Sequence, residues 1–375
     1  MWWMAVNAAM AWTLIGAEGA PLDRSLSTED VFAVSAPHTL AAARVDVDAE
    51  ALISVAQESL RYLQSRAEAD PLAVHAGMLS ELGVTLAEVE NTLTYLIAVA
   101  TQTPERLDDP AFWSEEFVWY VWQPDQAGAR ARGVDLPAGQ LRLTRYLVYQ
   151  MQGSRTQTAE HPFALYAVPN DEAGLSVEQA DAQSADLTRF QYSRADVMGG
   201  VYAPGGAAEG AAEPLVWLSR RGVYEAMMQG TIEVHFPDGQ HALFNVDRPN
   251  GMPYNPAIRS ASQQLRYWYF AEVDGVMGWG AERAHKVRLA PGVAVAGDVH
   301  NLGLGKLIVL EQHGVARPVV LSDTGGAFQP NLFQLDLFTG TFPSREAFLS
   351  ATRHMGGFAG ASILIRREPS PSPQP

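Results

Sequence analysis

A chain of 375 residues with 47% apolar content is long enough to bury two packed domains. Its net charge of −16 and pI near 4.9 exclude the basic footprint of a nucleic-acid binder, and no Lys/Arg cluster reverses that balance. The absence of cysteine excludes disulfides, thiolate metal sites and a lipidated N-terminal cysteine, and leaves the cellular compartment open.

The chain opens on MWWMAVNAAMAWTLIGAEGAP, with no charge before Glu18. This stretch has the length of a signal-peptide apolar region and is short for a spanning helix, although it lacks the basic start of a signal peptide. Residues 1–20 are therefore expected to act as a signal-like segment, either cut after Ala17 or Gly19 or kept as a membrane attachment.

Two helical patterns follow. From Asp48 to Arg66, residues Ile53, Ala56, Leu60 and Leu63 recur at spacings of three and four, and Asp70-Pro71 ends the pattern. The second begins at Thr85, where Glu88 completes a capping box, and carries Val89, Leu93, Leu96, Ile97 and Ala100 as its buried stripe before Pro104. Both stripes read as core. FWSEEFVWYVW, Phe112 to Trp122, is aromatic and β-prone; exposed it would stack on sugar rings, but its composition reads as buried core.

From Gln140 onward the chain is β-rich. LRLTRYLVYQMQ alternates loosely, and TIEVHFPDGQHALFNV has the pattern of a hairpin turning at Pro237-Asp238-Gly239. KLIVLEQHGVARPVVL, Lys306 to Leu321, predicts a second hairpin turning near Gly314. Ala203 to Pro214 is a loop, and the tail from Glu368 is a Pro-rich extended segment. GLGLGK, around Gly303, lacks phosphate-loop spacing and reads as a turn before a strand. No zinc-protease, nucleophile-elbow or P-loop motif occurs. His235, His241 and His313 read as surface strand or turn residues, so no metal and no cofactor is expected.

The stretch SDTGGAFQPNLFQLDLFTG, Ser322 to Gly340, holds two carboxylates in contrasting settings. The β-branched run before Asp323 predicts a buried strand, and Asp-Thr-Gly-Gly a sharp turn. In FQLDLF, alternation puts Phe333, Leu335 and Leu337 on one face and Gln334, Asp336 and Phe338 on the other, towards solvent or a groove. A stiff strand suits a catalytic carboxylate, because positioning is what such a group contributes. Taken alone, however, Asp-Thr-Gly-Gly is more simply a turn than a site.

Several separated blocks together resemble the MltA family of membrane-bound lytic murein transglycosylases with their C-terminal 3D domain. GSRTQTAEHPFALYAVPND from Gly153, LTRFQYSRADVMGG from Leu187, EPLVWL from Glu213, MQGTIEVHFPDG from Met228, NGMPY from Asn250 and AVAGDVHNLGLGKLIVL from Ala294 follow the family's order. DTGGAF with FQLDLFTG closes the match.

The resemblance implies a mainly β protein with an N-terminal helical region. Residues 21–149 and 267–367 would form that region and a double-psi β-barrel, residues 150–266 an inserted β-barrel, with a glycan groove between the two, and 368–375 a disordered tail. It further implies a monomer whose partner is peptidoglycan. The reaction would cleave the β-1,4 bond between N-acetylmuramic acid and N-acetylglucosamine, leaving a 1,6-anhydro end. Asp336 matches the family's catalytic aspartate. Asp323 would organise its loop or raise its partner's pKa. Thr144, Tyr146, Gln229, Gly230, Asn250, Tyr254, Thr324, Gly325 and Gly326 match positions expected to meet the glycan.

The chain also departs from the family pattern. Thirteen positions separate Asp323 from Asp336, two more than the family pattern, which places an insertion around Gln329-Pro330. Arg145-Tyr146-Leu147 stands where the family has glycine-tyrosine-tyrosine, and Gln329 where it has lysine. The segment between NGMPY and YWYF is shortened. These changes keep a second reading open, a non-catalytic peptidoglycan-binding protein of the same fold. A third, an aspartic protease, would need two Asp-Thr-Gly segments where this chain has one.

Overall fold

The computed structural model describes residues 26–35, 40, 42, 44–253, 255, 257–258, 260–325, 328 and 331–368. The chain divides into two compact units. The flanking unit takes the described residues of Glu18–Tyr146, Val287–Gly340 and Thr352–Pro375; the insert unit contains Leu147–Lys286 and Thr341–Ala351. Among the described residues, no helix is long and apolar enough to cross a membrane.

The flanking unit carries the helices that periodicity predicts. The helix Ala49–Arg66 starts at Asp48, whose carboxylate caps the Ala51 amide at 3.0 Å. Its buried face is Leu52, Val55, Ala56, Ser59, Tyr62 and Leu63, while Ile53 and Leu60 are only half-buried. The expected stripe is thus turned by about one position. The helix packs against both the helix Leu86–Gln102 and the strand Val315–Asp323, and cover from two sides selects a wider face than a three-four count implies. The helix Leu86–Gln102 has the predicted box: Thr85 Oγ1 accepts from the Glu88 amide at 3.2 Å, and Glu88 accepts from the Thr85 amide at 2.7 Å.

The aromatic run departs from expectation by splitting into a helix, Pro110–Glu116, and a strand, Phe117–Trp122. Asp109 caps the helix and Pro110 occupies its first turn, so two local helix signals override the β propensity of Phe112 and Trp113. Trp113, Trp119 and Trp122 are buried, and their indole N–H groups donate to the carbonyls of Leu107, Trp113 and Leu332 at 2.9–3.1 Å. They are core, not a stacking platform.

The sheet of this unit runs Phe32–Ser35, Phe117–Trp122, Phe358–Arg366, Leu307–Gln312, Val315–Asp323, Ala294–Ala296, Gln334–Phe342 and then the start of Leu141–Ser154. The hairpin predicted after Lys306 is present. His313 and Gly314 both take left-handed backbone, φ 53° and 75°, which matches the twist of the flanking strands. The short strand Ala294–Ala296 lies parallel to Val315–Asp323 on one side and antiparallel to Gln334–Phe342 on the other.

In the insert unit, the later part of Leu141–Ser154 pairs parallel with Thr231–His235, from Tyr149 opposite Ile232 to Gln152 opposite His235. The predicted hairpin Thr231–His235 and His241–Pro249 follows, with Trp268–Val273 beside it, and Phe163–Tyr166 pairs with Pro214–Leu218. Leu165, Val216, Leu218, Ile232, Val234, Phe244 and Phe270 are fully buried between them. Glu172, also buried, accepts from Arg189 Nε at 2.5 Å and Arg248 Nη1 at 2.9 Å.

Candidate functional site

The two aspartates of the Ser322–Gly340 stretch stand on strands either side of Ala294–Ala296. Ala296 is the register partner of both Asp323 and Asp336. Two strand spacings set their backbones roughly 9–10 Å apart. The first strand of the site ends at Asp323, which is buried. Its carboxylate accepts from the Tyr146 hydroxyl at 2.9 Å and from the Thr324 amide at 2.8 Å. Thr324 Oγ1 donates to the Gly297 carbonyl at 2.7 Å, and Gly325 is buried beside it. These bonds brace the turn. Asp298, wholly buried, does the same for the next segment, accepting from Asn301 Nδ2 at 2.6 Å and the Asn331 amide at 2.7 Å.

Asp336 is held differently. It lies on Gln334–Phe342, where alternation puts Leu335 and Leu337 into the core as the sequence predicts. The opposite face is not open to solvent: Gln334 and Phe338 are buried and Asp336 is half-buried. The start of Leu141–Ser154 covers it. The Arg142 amide donates to Phe333 O at 2.8 Å, the Thr144 hydroxyl lies 3.3 Å from Leu335 O, and Thr339 Oγ1 donates to Tyr146 O at 2.7 Å. Contacts advance together along both strands, so Arg142, Thr144 and Tyr146 share the face of Gln334, Asp336 and Phe338. Gln334 Nε2 donates to Thr144 Oγ1 at 3.0 Å, and the Tyr146 ring packs 5.2 Å from that of Phe338.

Burial pushes the Asp336 carboxyl up from the ordinary 3.8 to about 7. The Thr144 hydroxyl and the charges of Arg142 and Arg145 act in the opposite sense and are outweighed. Asp336 Oδ1 is buried and accepts no hydrogen bond among the described residues. A carboxyl in that setting is protonated about half the time near neutrality and has an oxygen uncommitted to the fold. Burial, reinforced by the Asp323 charge, likewise raises the Tyr146 phenol well above its ordinary value, so it stays a donor.

Of the residues expected at the site, Asp336, Asp323, Thr144, Tyr146, Thr324 and Gly325 come together in the flanking unit. Gln229, Gly230 and Asn250 belong to the insert unit. Gln229 ends the helix Arg220–Gln229, and Gly230 caps it in left-handed conformation, φ 76°, with its carbonyl accepting from the Val246 amide at 2.7 Å. Asn250 is fully buried; its Nδ2 donates to the Tyr192 and Leu265 carbonyls and its Oδ1 accepts from the Tyr267 amide at 2.9 Å. Tyr254, Gly326 and the Gln329-Pro330 insertion lie outside the described residues. Sequence reasoning missed Arg142, although the period-two pattern of LRLTRY aligns it with Thr144 and Tyr146. Arg145, the departure from the family pattern, donates through Nη1 to the Met355 carbonyl at 2.5 Å. Among the described residues no group of three or more His, Cys, Asp or Glu is placed to hold a metal ion.

A lone, strand-borne acid poised near neutrality, in a strand-rich chain with leading helices, defines a class of acid–base sites. Comparison with known proteins places the fold. Residues 142–267 match the family model "MltA specific insert domain". The membrane-bound lytic murein transglycosylase of Agrobacterium tumefaciens superposes with a TM-score of 0.54 at 18% identity, over 86% of this chain and 98% of that one. MltA of E. coli with bound chitohexaose gives 0.54 at 16% identity, over 93% and 99%. MltA of Neisseria gonorrhoeae gives 0.52 at 16% identity, over 86% and 89%. No curated protein matches the sequence. Residues 142–267 thus match an MltA-specific domain, and the chain shares the fold of the solved MltA structures.

Proposed function

We propose that the chain is a peptidoglycan lytic transglycosylase with Asp336 as its acid and base. Asp336 protonates the glycosidic oxygen as the bond from C1 of N-acetylmuramic acid breaks. The 6-hydroxyl of the same sugar then attacks C1 and returns its proton to Asp336. Water is not consumed, and the product ends in a 1,6-anhydro ring. Because the nucleophile is tethered to the substrate, no second carboxylate is required to activate it. The observation that carries this reading is Asp336 itself, half-buried, raised to about 7 and with Oδ1 unpartnered among the described residues. The commitment of Asp323 to Tyr146 and Thr324 supports a bracing role for it rather than that of a second acid.

The parallel and antiparallel neighbours of Ala294–Ala296 support reading the flanking unit as a double-psi β-barrel. Gln229 is half-buried with no side-chain hydrogen bond among the described residues, which supports it as a glycan contact in the insert unit. The likeness to membrane-bound lytic murein transglycosylases supports a place in the cell envelope.

Asp336→Asn is expected to cut release of anhydro-muropeptides from purified sacculi by roughly 10²-fold or more, read by mass spectrometry. Release at the wild-type rate would overturn the assignment. The anchoring of Arg145 to a backbone carbonyl, where the family pattern has glycine, favours a second reading as a binding protein without turnover. Sacculus binding by the wild type with no soluble product would select it.

A further inference from the structure

We propose that Arg142 is a specificity residue that takes a carboxylate carried by the glycan, so that the site reads an anionic strand rather than a neutral one. This rests on the reading of Asp336 as the reacting acid. Arg142 sits two residues before Thr144 on the strand covering Asp336, on the face that Thr144 and Tyr146 present to Gln334, Asp336 and Phe338. Its backbone is engaged, with the amide bonded to Phe333 O and the residue paired with Phe358. Its guanidinium is not: among the described residues it makes no hydrogen bond, no ion pair and no ring contact. The other arginine near Asp336 differs, since Arg145 spends Nη1 on the carbonyls of Met355 and Thr352. The Arg142 charge is felt by the Asp336 carboxyl, but no ion pair joins the two among the described residues.

Arg142 is half-buried, so part of its hydration is already lost. A planar fork of five donors, partly dehydrated and unpaired beside a reacting group, is the arrangement that bidentate carboxylate recognition requires. N-acetylmuramic acid differs from N-acetylglucosamine in bearing a lactyl ether. That group is a free carboxylate in a peptide-stripped strand, and in an intact strand it carries a stem peptide with carboxylates of its own. A chitooligosaccharide offers neither.

Binding separates these cases without depending on turnover. With Asp336→Asn protein, affinities are measured for peptide-stripped glycan strands, for peptide-bearing strands and for chitohexaose. Tighter binding of at least one carboxylate-bearing ligand than of chitohexaose is expected. Adding Arg142→Gln should weaken that ligand by roughly tenfold or more, leave chitohexaose unchanged, and be partly rescued by Arg142→Lys. A loss confined to stripped strands assigns the lactyl carboxylate, and one confined to peptide-bearing strands the stem peptide; either supports the proposal. It is overturned by no preference for carboxylate, by no binding, or by an equal loss on all three ligands. Anhydro product from the wild type without a carboxylate preference would sink this inference alone, whereas a carboxylate preference without product would sink only the transglycosylase reading.

Discussion

At Asp336 the features that suit proton transfer also oppose folding. Its carboxyl titrates near 3.8 when exposed and at about 7 in the fold. The folded state therefore binds the extra proton between those values, and stability falls as pH rises through that window, levelling off above about 7. Below about 3 both states are protonated and the cost vanishes. Asp336→Asn removes the titrating group and keeps the shape. It is expected to raise stability by about 1–3 kcal/mol at pH 8 and to leave it nearly unchanged at about pH 3, as measured by urea denaturation at both pH values. Equal effects at both would mean that the carboxyl is not raised. Asp323 shows the opposite arrangement, with its oxygens committed to Tyr146 and Thr324. Two aspartates thirteen positions apart on neighbouring motifs thus have different environments, and the difference lies in what packs on them.

Elements whose signals are local were legible before the structure. The box Thr85–Glu88, the left-handed turn at His313-Gly314 and the Pro-Asp-Gly turn at 237–239 each depend on groups within four residues of one another. Thr85→Ala removes a cap from a helix that buries Val89, Leu93 and Leu96, and should cost about 1 kcal/mol, seen as a lower urea midpoint with an unchanged denaturant slope. The element that misled is Phe112–Trp122. Its composition favours a strand throughout, yet Asp109 and Pro110 start a helix that continues to Glu116. The buried face of Ala49–Arg66 misled in a smaller way, because periodicity reports one face while two neighbours cover this helix.

Over the whole molecule, contacts between distant segments decide what no local pattern carries. Glu172 bridges Arg189 and Arg248 inside the insert unit, joining three segments that nothing in the sequence pairs. Glu172→Ala would remove the buried carboxylate shared by two guanidinium groups, leaving Arg189 with Asp181 and the Pro249 carbonyl and Arg248 with the Leu175 carbonyl, and should cost about 2–4 kcal/mol, read as a lower thermal midpoint of the full chain; a change under about 0.5 kcal/mol would show the bridge to be idle.

The same division of labour holds for the site. The sequence by itself determined the acidic, cysteine-free class, most helix and hairpin positions, the family likeness, and the alternation that sends Leu335 and Leu337 inward and Asp336 to the other face. These follow from periodicity and near-neighbour chemistry. Only the tertiary structure decided that this other face is covered, that Tyr146 holds Asp323, and that the Arg142 charge acts on Asp336. Burial and charge pairing are properties of segments some 190 residues apart, and a pKa is set by the dielectric and partners those segments bring together.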